Sequence, residues 1–282
     1  MGEEQWDLEL KPKSNWMDLR LAELWSYRDL LVLFVKRDFV SIYKQTILGP
    51  LWFFIQPILT TLMFALIFGY FGNLSTEGIP PFLFYLTGLT LWNYFSECLM
   101  KTSETFVKNQ NLFGKVFFPR LIVPLSIILS SLLKFGIQFI LFSLVWIYYY
   151  FIAKDQSILP NLVILLTPFL ILIMAGLSLG FGIIFSSITT KYKDMNFLLA
   201  FGIQLLMYAS SVVIPISAVG SYAWVFRLNP MVNLIESFRY AFLGAGEFNL
   251  FWLGYSFVFM CILLFFGIVV FNKVEKSFMD TV

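Results

Sequence analysis

The sequence predicts an all-α integral membrane fold, and three observations carry that reading. Hydrophobic residues fill 59% of the 282 positions and charged residues only 13%, with a mean hydropathy of +0.82. A soluble domain is about 45–50% apolar and about 25% charged, and a water-soluble fold of this size has no means of covering so much apolar surface. Apolar runs of about 20 residues, the length that crosses about 30 Å of hydrocarbon, recur six times between charges. The basic residues gather in alternate connections, as the positive-inside bias requires of a multi-pass chain.

Residues 1–46 form an expected cytoplasmic N-terminus. Met1 to Asn15 lack the basic n-region and apolar h-region of a signal peptide. Ser26 to Gln45 reads as an amphipathic helix. Arg37, Ser41, Lys44 and Gln45 recur at helical spacing on one face, while Leu30, Leu31, Phe34 and Val35 offer an apolar surface. That pattern suits a helix lying in the membrane interface as much as an ordinary juxtamembrane anchor. Gly49-Pro50 breaks it and turns the chain inward.

A six-helix membrane domain is expected over 47–272. Its spans lie near 48–71, 82–100, 124–151, 161–188, 195–214 and 250–271, each helical because lipid offers the backbone no hydrogen-bond partners. Most of the 19 Lys and Arg residues fall before the first span, between the second and third (Lys101, Lys108, Lys115, Arg120), between the fourth and fifth (Lys191, Lys193), or in the tail 273–282 (Lys273, Lys276). The opposite connections hold only Lys154, Arg227 and Arg239. Both termini are therefore expected in the cytoplasm. Between spans five and six, Asn229-Pro-Met-Val-Asn-Leu-Ile-Glu-Ser-Phe-Arg-Tyr-Ala-Phe-Leu-Gly244 carries a complete helix punctuation. Asn229 suits the N-cap, Pro230 the first position and Gly244 the stop. This short outer helix either dips into the outer leaflet or rests on the lipid surface, with Glu236 and Arg239, three apart, on one side.

Several chemistries are excluded or unsupported. There is no His, so no imidazole acid–base or metal chemistry. Cys98 and Cys261 lie far apart in apolar surroundings and read as packing residues. Gly114-Lys115 is followed by Val116 and lacks the upstream glycine of a phosphate-binding loop. Only Glu97 and Lys134 place a charge within a span; intramembrane charges are functional suspects, yet a structural ion pair across adjacent helices, or Lys134 snorkelling to the interface, accounts for them more simply. Aromatic residues reach 20%. Trp52, Phe53, Phe64, Tyr85, Trp92, Tyr94 and Tyr208 fall inside spans together with the polar Gln56. Rings pair an apolar face with, in Tyr and Trp, a polar edge. They suit either helix packing or a channel along which sugar rings slide.

Five segments together resemble the permeases of polysaccharide ABC transporters (O-antigen, capsule and teichoic-acid exporters), within the type-2 ABC exporter superfamily. These are Leu48-Gly-Pro-Leu-Trp52 with Gln56-Pro57; Lys115-Val-Phe-Phe-Pro-Arg120 with Pro124-Leu-Ser; Thr190-Lys-Tyr-Lys-Asp194; Leu228-Asn-Pro-Met231 with Glu236, Phe238, Arg239 and Leu243-Gly244; and Phe271-Asn-Lys-Val-Glu-Lys-Ser-Phe-Met-Asp280. The third departs from the family's Tyr-Arg-Asp turn by carrying lysine, which keeps the charge and loses the planar fork.

The resemblance implies a homodimer around a central channel and two separate nucleotide-binding ATPase subunits that carry ATP and Mg. No cofactor is then expected on this chain, and no nucleic-acid partner. The implied substrate is an undecaprenyl-pyrophosphate-linked glycan crossing the bacterial inner membrane. ATPase contact would fall on Arg37 and Asp38, on Lys115, Phe117, Pro119 and Arg120, and on Lys191, Tyr192, Lys193 and Asp194. Pro230, Glu236 and Arg239 would line or gate the exit. Two rivals stay open in the sequence: an exporter of drugs or small lipids, and an ion-coupled secondary transporter. The second is disfavoured by largely uncharged spans without an evident internal repeat.

Overall fold

The structure, a computed structural model, describes residues 21–43, 49–192 and 194–278. The expected contributions of Lys44, Gln45 and Lys193 lie outside the described residues. Among those described, all regular structure is helical. In chain order the helices are α1 (Leu21–Ser26), α2 (Arg28–Tyr43), α3 (Trp52–Phe64, continued by a π-helical turn Ala65–Phe71), α4 (Pro81–Ser103), α5 (Thr105–Lys108), α6 (Gln110–Phe113), α7 (Ile122–Ile147, with a π-helical end Tyr148–Ile152), α8 (Thr167–Thr189, led by a 3-10 turn Leu162–Leu166), α9 (Met195–Tyr208), α10 (Ala223–Arg227), α11 (Pro230–Leu243) and α12 (Leu250–Phe278).

Four helical stretches among the described residues are long and apolar enough to cross a membrane: Trp52–Phe71, Ile122–Ile152, Leu162–Thr189 and Leu250–Glu275. The expected second and fifth spans are helices of a different kind. α4 carries Asn93, Glu97 and Lys101 and is mostly buried by its neighbours, so protein rather than lipid surrounds it and its hydropathy is lower. The fifth was expected to reach residue 214. It stops at Tyr208, and 14 residues at 1.5 Å each cover about 21 Å, short of a full crossing. The chain then turns at Ser211, which has φ 60.

Packing is centred on α4, which lies against α8, α7, α3 and α11, while α8 also packs along α12. Glycines make the α8·α12 approach close. A Cβ at Gly176 would run into Met260 Sδ and one at Gly180 would meet Leu263 Cγ at 2.9 Å. Small residues at such contacts are how membrane helices gain dispersion where the hydrophobic effect gives little. At the other face, a Cβ on Gly182 would lie 2.5 Å from Thr102 Cβ of α4. Phe142, Phe238 and Phe242 meet with centroids 4.7–5.5 Å apart, joining α7 to α11.

The outer helix is where expectation and structure part. Its punctuation is as read: Asn229 Oδ1 accepts from the Met231 N–H at 3.1 Å, and Gly244 adopts φ 74. Yet α11 does not rest on a surface, because nearly every residue of it is buried. Burial obliges its last-turn carbonyls to find partners, and all four do. Tyr240 O accepts from Asn161 Nδ2 at 2.6 Å and Phe242 O from Trp146 Nε1 at 2.8 Å. Ala241 O accepts from the Asn161 N–H at 3.1 Å and Leu243 O from the Leu159 N–H at 2.9 Å.

Candidate functional site

Three regions collect the polar side chains. The first is a cavity of about 340 Å³ between α3, α4, α7 and α9. Helical periodicity builds it. Gln56, Pro57 and Thr60 share one face of α3. Asn93, Ser96, Glu97 and Met100 recur at i, i+3, i+4 and i+7 on α4. Lys134 and Gln138 are one turn apart on α7, and Ala200 and Ile203 close it from α9. Glu97 joins two ammonium groups: Lys134 Nζ lies 2.7 Å from Oε2 and Lys101 Nζ 2.7 Å from Oε1. Lys134 also sits over the Phe53 ring, 5.7 Å from its centroid. The pairing of Glu97 with Lys134 across α4 and α7 is the one drawn from sequence. Gln138, Asn93 and Ser96 were not singled out there, because uncharged amides and hydroxyls do not interrupt an apolar run. Their signal was the helical spacing from Glu97 and Lys134.

The aromatic residues expected along a channel divide. Tyr85, Trp92 and Tyr94 are 0–4% exposed and pack inside the protein, Tyr85 on Phe64 at 6.2 Å and Tyr94 on Phe135 at 5.2 Å. Phe53 is buried as well, whereas Trp52 and Tyr208 are exposed and Gln56 opens to the cavity.

The second region is the end where α4, α8 and α12 finish and α7 begins. Phe34 of α2 joins Phe106, Phe113, Phe118, Ile122, Val123, Ile183 and Phe271 in one cluster, with Leu30 and Leu31 beside it. The apolar face read from the sequence of the N-terminal helix therefore covers protein. Arg37 lies over Phe34 at 4.6 Å and pairs with Asp38 at 2.8 Å. In the 114–121 loop the chain alternates: Phe118 is buried, while Lys115, Val116 and Phe117 are exposed and Pro119 is half-buried. Arg120 is not a free surface cation. It is 8% exposed, donates through Nη1 to the Glu275 carbonyl at 2.6 Å, and lies over Phe113 at 5.5 Å. Burial lowers its pKa and the Glu275 carboxylate opposes that shift. Thr189 Oγ1 donates to Ser103 O at 2.7 Å, tying the end of α8 to the end of α4. Just beyond it Lys191, Tyr192 and Asp194 are exposed, with Lys191 over the Tyr192 ring. The structure thus gathers the expected contact segments of α2 and the 114–121 loop in one cluster.

The third region is the opposite end. Arg239 is fully buried. It donates to Ser211 O at 2.6 Å and Val212 O at 3.0 Å, lies 3.5 Å from Glu236 Oε1 and covers the Phe84 ring at 3.7 Å. Glu236 accepts from the Ser211 hydroxyl and from the Ile216 N–H at 3.2 Å. Pro230, the first residue of α11, is buried too. Glu236 and Arg239, the residues expected along an exit, fasten the turn after α9 to α11 and α4.

Residues 29–243 match the family model described as ABC-2 type transporter. Among curated proteins the chain is 26% identical over 254 residues to an O-antigen export system permease protein RfbA of Klebsiella pneumoniae, covering 89% of this chain and 94% of that one. It is 27% identical over 226 residues to the protein of the same name from Myxococcus xanthus (79% and 83% covered). It is 25% identical over 240 residues to the polysialic acid transport protein KpsM of Escherichia coli (83% and 89%).

Proposed function

The chain belongs to the ABC-2 type transporter family, and on that premise we propose that it is the permease subunit of an ATP-driven exporter moving a lipid-linked polysaccharide across the bacterial inner membrane. The observation that carries the reading is similarity over 79–89% of the chain to proteins named O-antigen export system permease and polysialic acid transport protein. The chain is a multi-pass membrane protein. In this reading it crosses six times, with α4 and the short α9 completing the four long apolar stretches and both termini in the cytoplasm. Two copies enclose the path, and α9, too short and too exposed on its own, gains cover from the second copy. Two separate ATPase subunits, which bind ATP and Mg, dock on the end that bears α2, the 114–121 loop and the 191–194 turn. The exposed Lys115, Val116 and Phe117 form the projecting contact, while Phe118 and Arg120 anchor the loop so that displacement at its tip reaches α7 and α12.

The test is ATP hydrolysis by this chain purified with the ATPase encoded beside it, with and without lipid-linked glycan from the native host. Stimulation by the glycan that is lost in Arg37→Glu is the expected result. A stable complex indifferent to glycan would move the substrate toward drugs or small lipids, and failure to form any complex would refute the permease reading.

A further inference from the structure

The cavity between α3, α4, α7 and α9 holds more hydrogen-bonding capacity than the protein itself uses. Gln138 is 6% exposed, yet its amide has no protein partner among the described residues and faces the cavity. The side chains of Gln56, Thr60 and Asn93 line the same space and likewise make no hydrogen bond to the protein among those residues. Each amide offers two N–H donors and a carbonyl acceptor. Unpaired polar groups among membrane helices are costly, so groups placed this way belong with water or a ligand. The volume, about 340 Å³, falls at the lower end of small-molecule sites, on the order of 300–1,000 Å³.

The charges select the ligand class. Glu97 is held between Lys134 and Lys101, and Lys134 is further covered by Phe53. The cavity lining itself thus carries one carboxylate and one ammonium, Glu97 and Lys134, which answer each other at 2.7 Å, while Lys101 is 40% exposed and stands outside that lining. What remains open is neutral and two-sided, donor and acceptor together, which matches hydroxyl groups better than phosphate.

We propose that this cavity is a binding site for one sugar unit, recognised through its hydroxyl groups by the amides of Gln56, Asn93 and Gln138. The proposal rests on the polysaccharide reading above and adds a specific contact site to it. Lys134 begins the fourth turn of α7, about 18 Å from Ile122 at 1.5 Å per residue, so the unit would be held partway across the membrane. Binding by a few amides without an enclosing ring stack suits brief occupancy during passage.

The experiment deletes the chain in its native host and restores it as wild type, Gln138→Leu, Asn93→Leu or Gln138→Asn. Surface polysaccharide and the thermal stability of each purified protein are then measured. Leucine removes an unpaired polar group from a lipid-embedded protein, so the melting temperature should hold or rise. Surface polysaccharide should fall at least tenfold in both leucine variants and recover in part in Gln138→Asn. Wild-type export by both leucine variants, or a loss accompanied by a lowered melting temperature, would overturn the site. A deletion that leaves surface polysaccharide unchanged would instead overturn the function proposed above. In a second arm, Thr60→Cys is placed in a Cys261→Ser background, reconstituted in nanodiscs and treated with a water-soluble maleimide. Neutral oligosaccharides released from the host's own polysaccharide should slow its modification at least threefold. Slowing by sodium pyrophosphate alone would make the cavity an anion site and refute the proposal, as would no protection by either.

Discussion

Arg239→Met is a severe single perturbation of the end that holds α11. The side chain is fully buried and satisfies the Ser211 and Val212 carbonyls, the Glu236 carboxylate and the Phe84 face at once. Methionine fills much of the volume and still touches the ring, so cavity formation is small. The loss is electrostatic. Removing one member of a buried pair leaves the other charge uncompensated, at about 3–5 kcal/mol. The orphaned carbonyls add about 1–3 kcal/mol each where water cannot reach them. These costs overlap, and about 4 kcal/mol is the net expectation. At roughly 2–4 °C per kcal/mol for a chain of this size class, the melting temperature read by tryptophan fluorescence in detergent should drop by about 8–16 °C. Glu236→Gln combined with Arg239→Met removes the stranded charge, and the double variant should melt above Arg239→Met alone. A single variant within about 2 °C of wild type, or a double variant as damaged as the sum of its parts, would refute the buried pair as the fastening of this end.

Three further outcomes follow from the packing. Glu97→Gln should destabilise more than Lys134→Met in the same melting assay, since the first strands two ammonium groups while the second leaves Glu97 with Lys101; equal losses would mean the shared carboxylate is not the hub. Asn161→Ala should cost about 0.5–2 kcal/mol, because it removes the cap that accepts from the Val163 N–H at 3.0 Å together with the Nδ2 bond to the Tyr240 carbonyl, measurable by denaturant titration. Gly182→Ala forces its methyl onto Thr102, with 2.5 Å where van der Waals contact needs more. It should cost about 1–3 kcal/mol, and combining it with Thr102→Ser should return part of that.

Legibility in the sequence followed the physics of each signal. The punctuation of α11 was readable because Asn229, Pro230 and Gly244 act through their own backbones. The Glu97–Lys134 pair was readable because a charge in an apolar run has few ways to be satisfied. The burial of α11 was not, since Glu236 and Arg239 give a short helix the pattern of a surface element, and their burial is made tolerable by Ser211, Val212, Ile216 and Phe84, outside the helix. The early end of α9 was hidden as well: residues 209–214 continue the apolar run with no Pro or Gly before Pro215, and the turn relies on a positive φ at Ser211 supported by tertiary contacts. The amides of the cavity stayed silent for want of a hydropathy break, and the division of aromatic residues into packed and exposed depends on neighbours that periodicity alone does not reveal.

The four bonded carbonyls at the end of α11 also decide where this end of the protein can bend. With Trp146, Leu159 and Asn161 clasping its last turn, α11 travels as one lever with the connection between α7 and α8, and Arg239 pins its middle to the turn after α9. The stretch from Ser217 to Leu228 is tied at its two ends, Ser217 to Glu77 and Arg227 to Glu247, while between them Gly220 has φ 63 and Tyr222, Trp224 and Val225 are exposed. Any displacement at this end would therefore fall on the residues between Ser217 and Arg227 and leave α11 itself unbent.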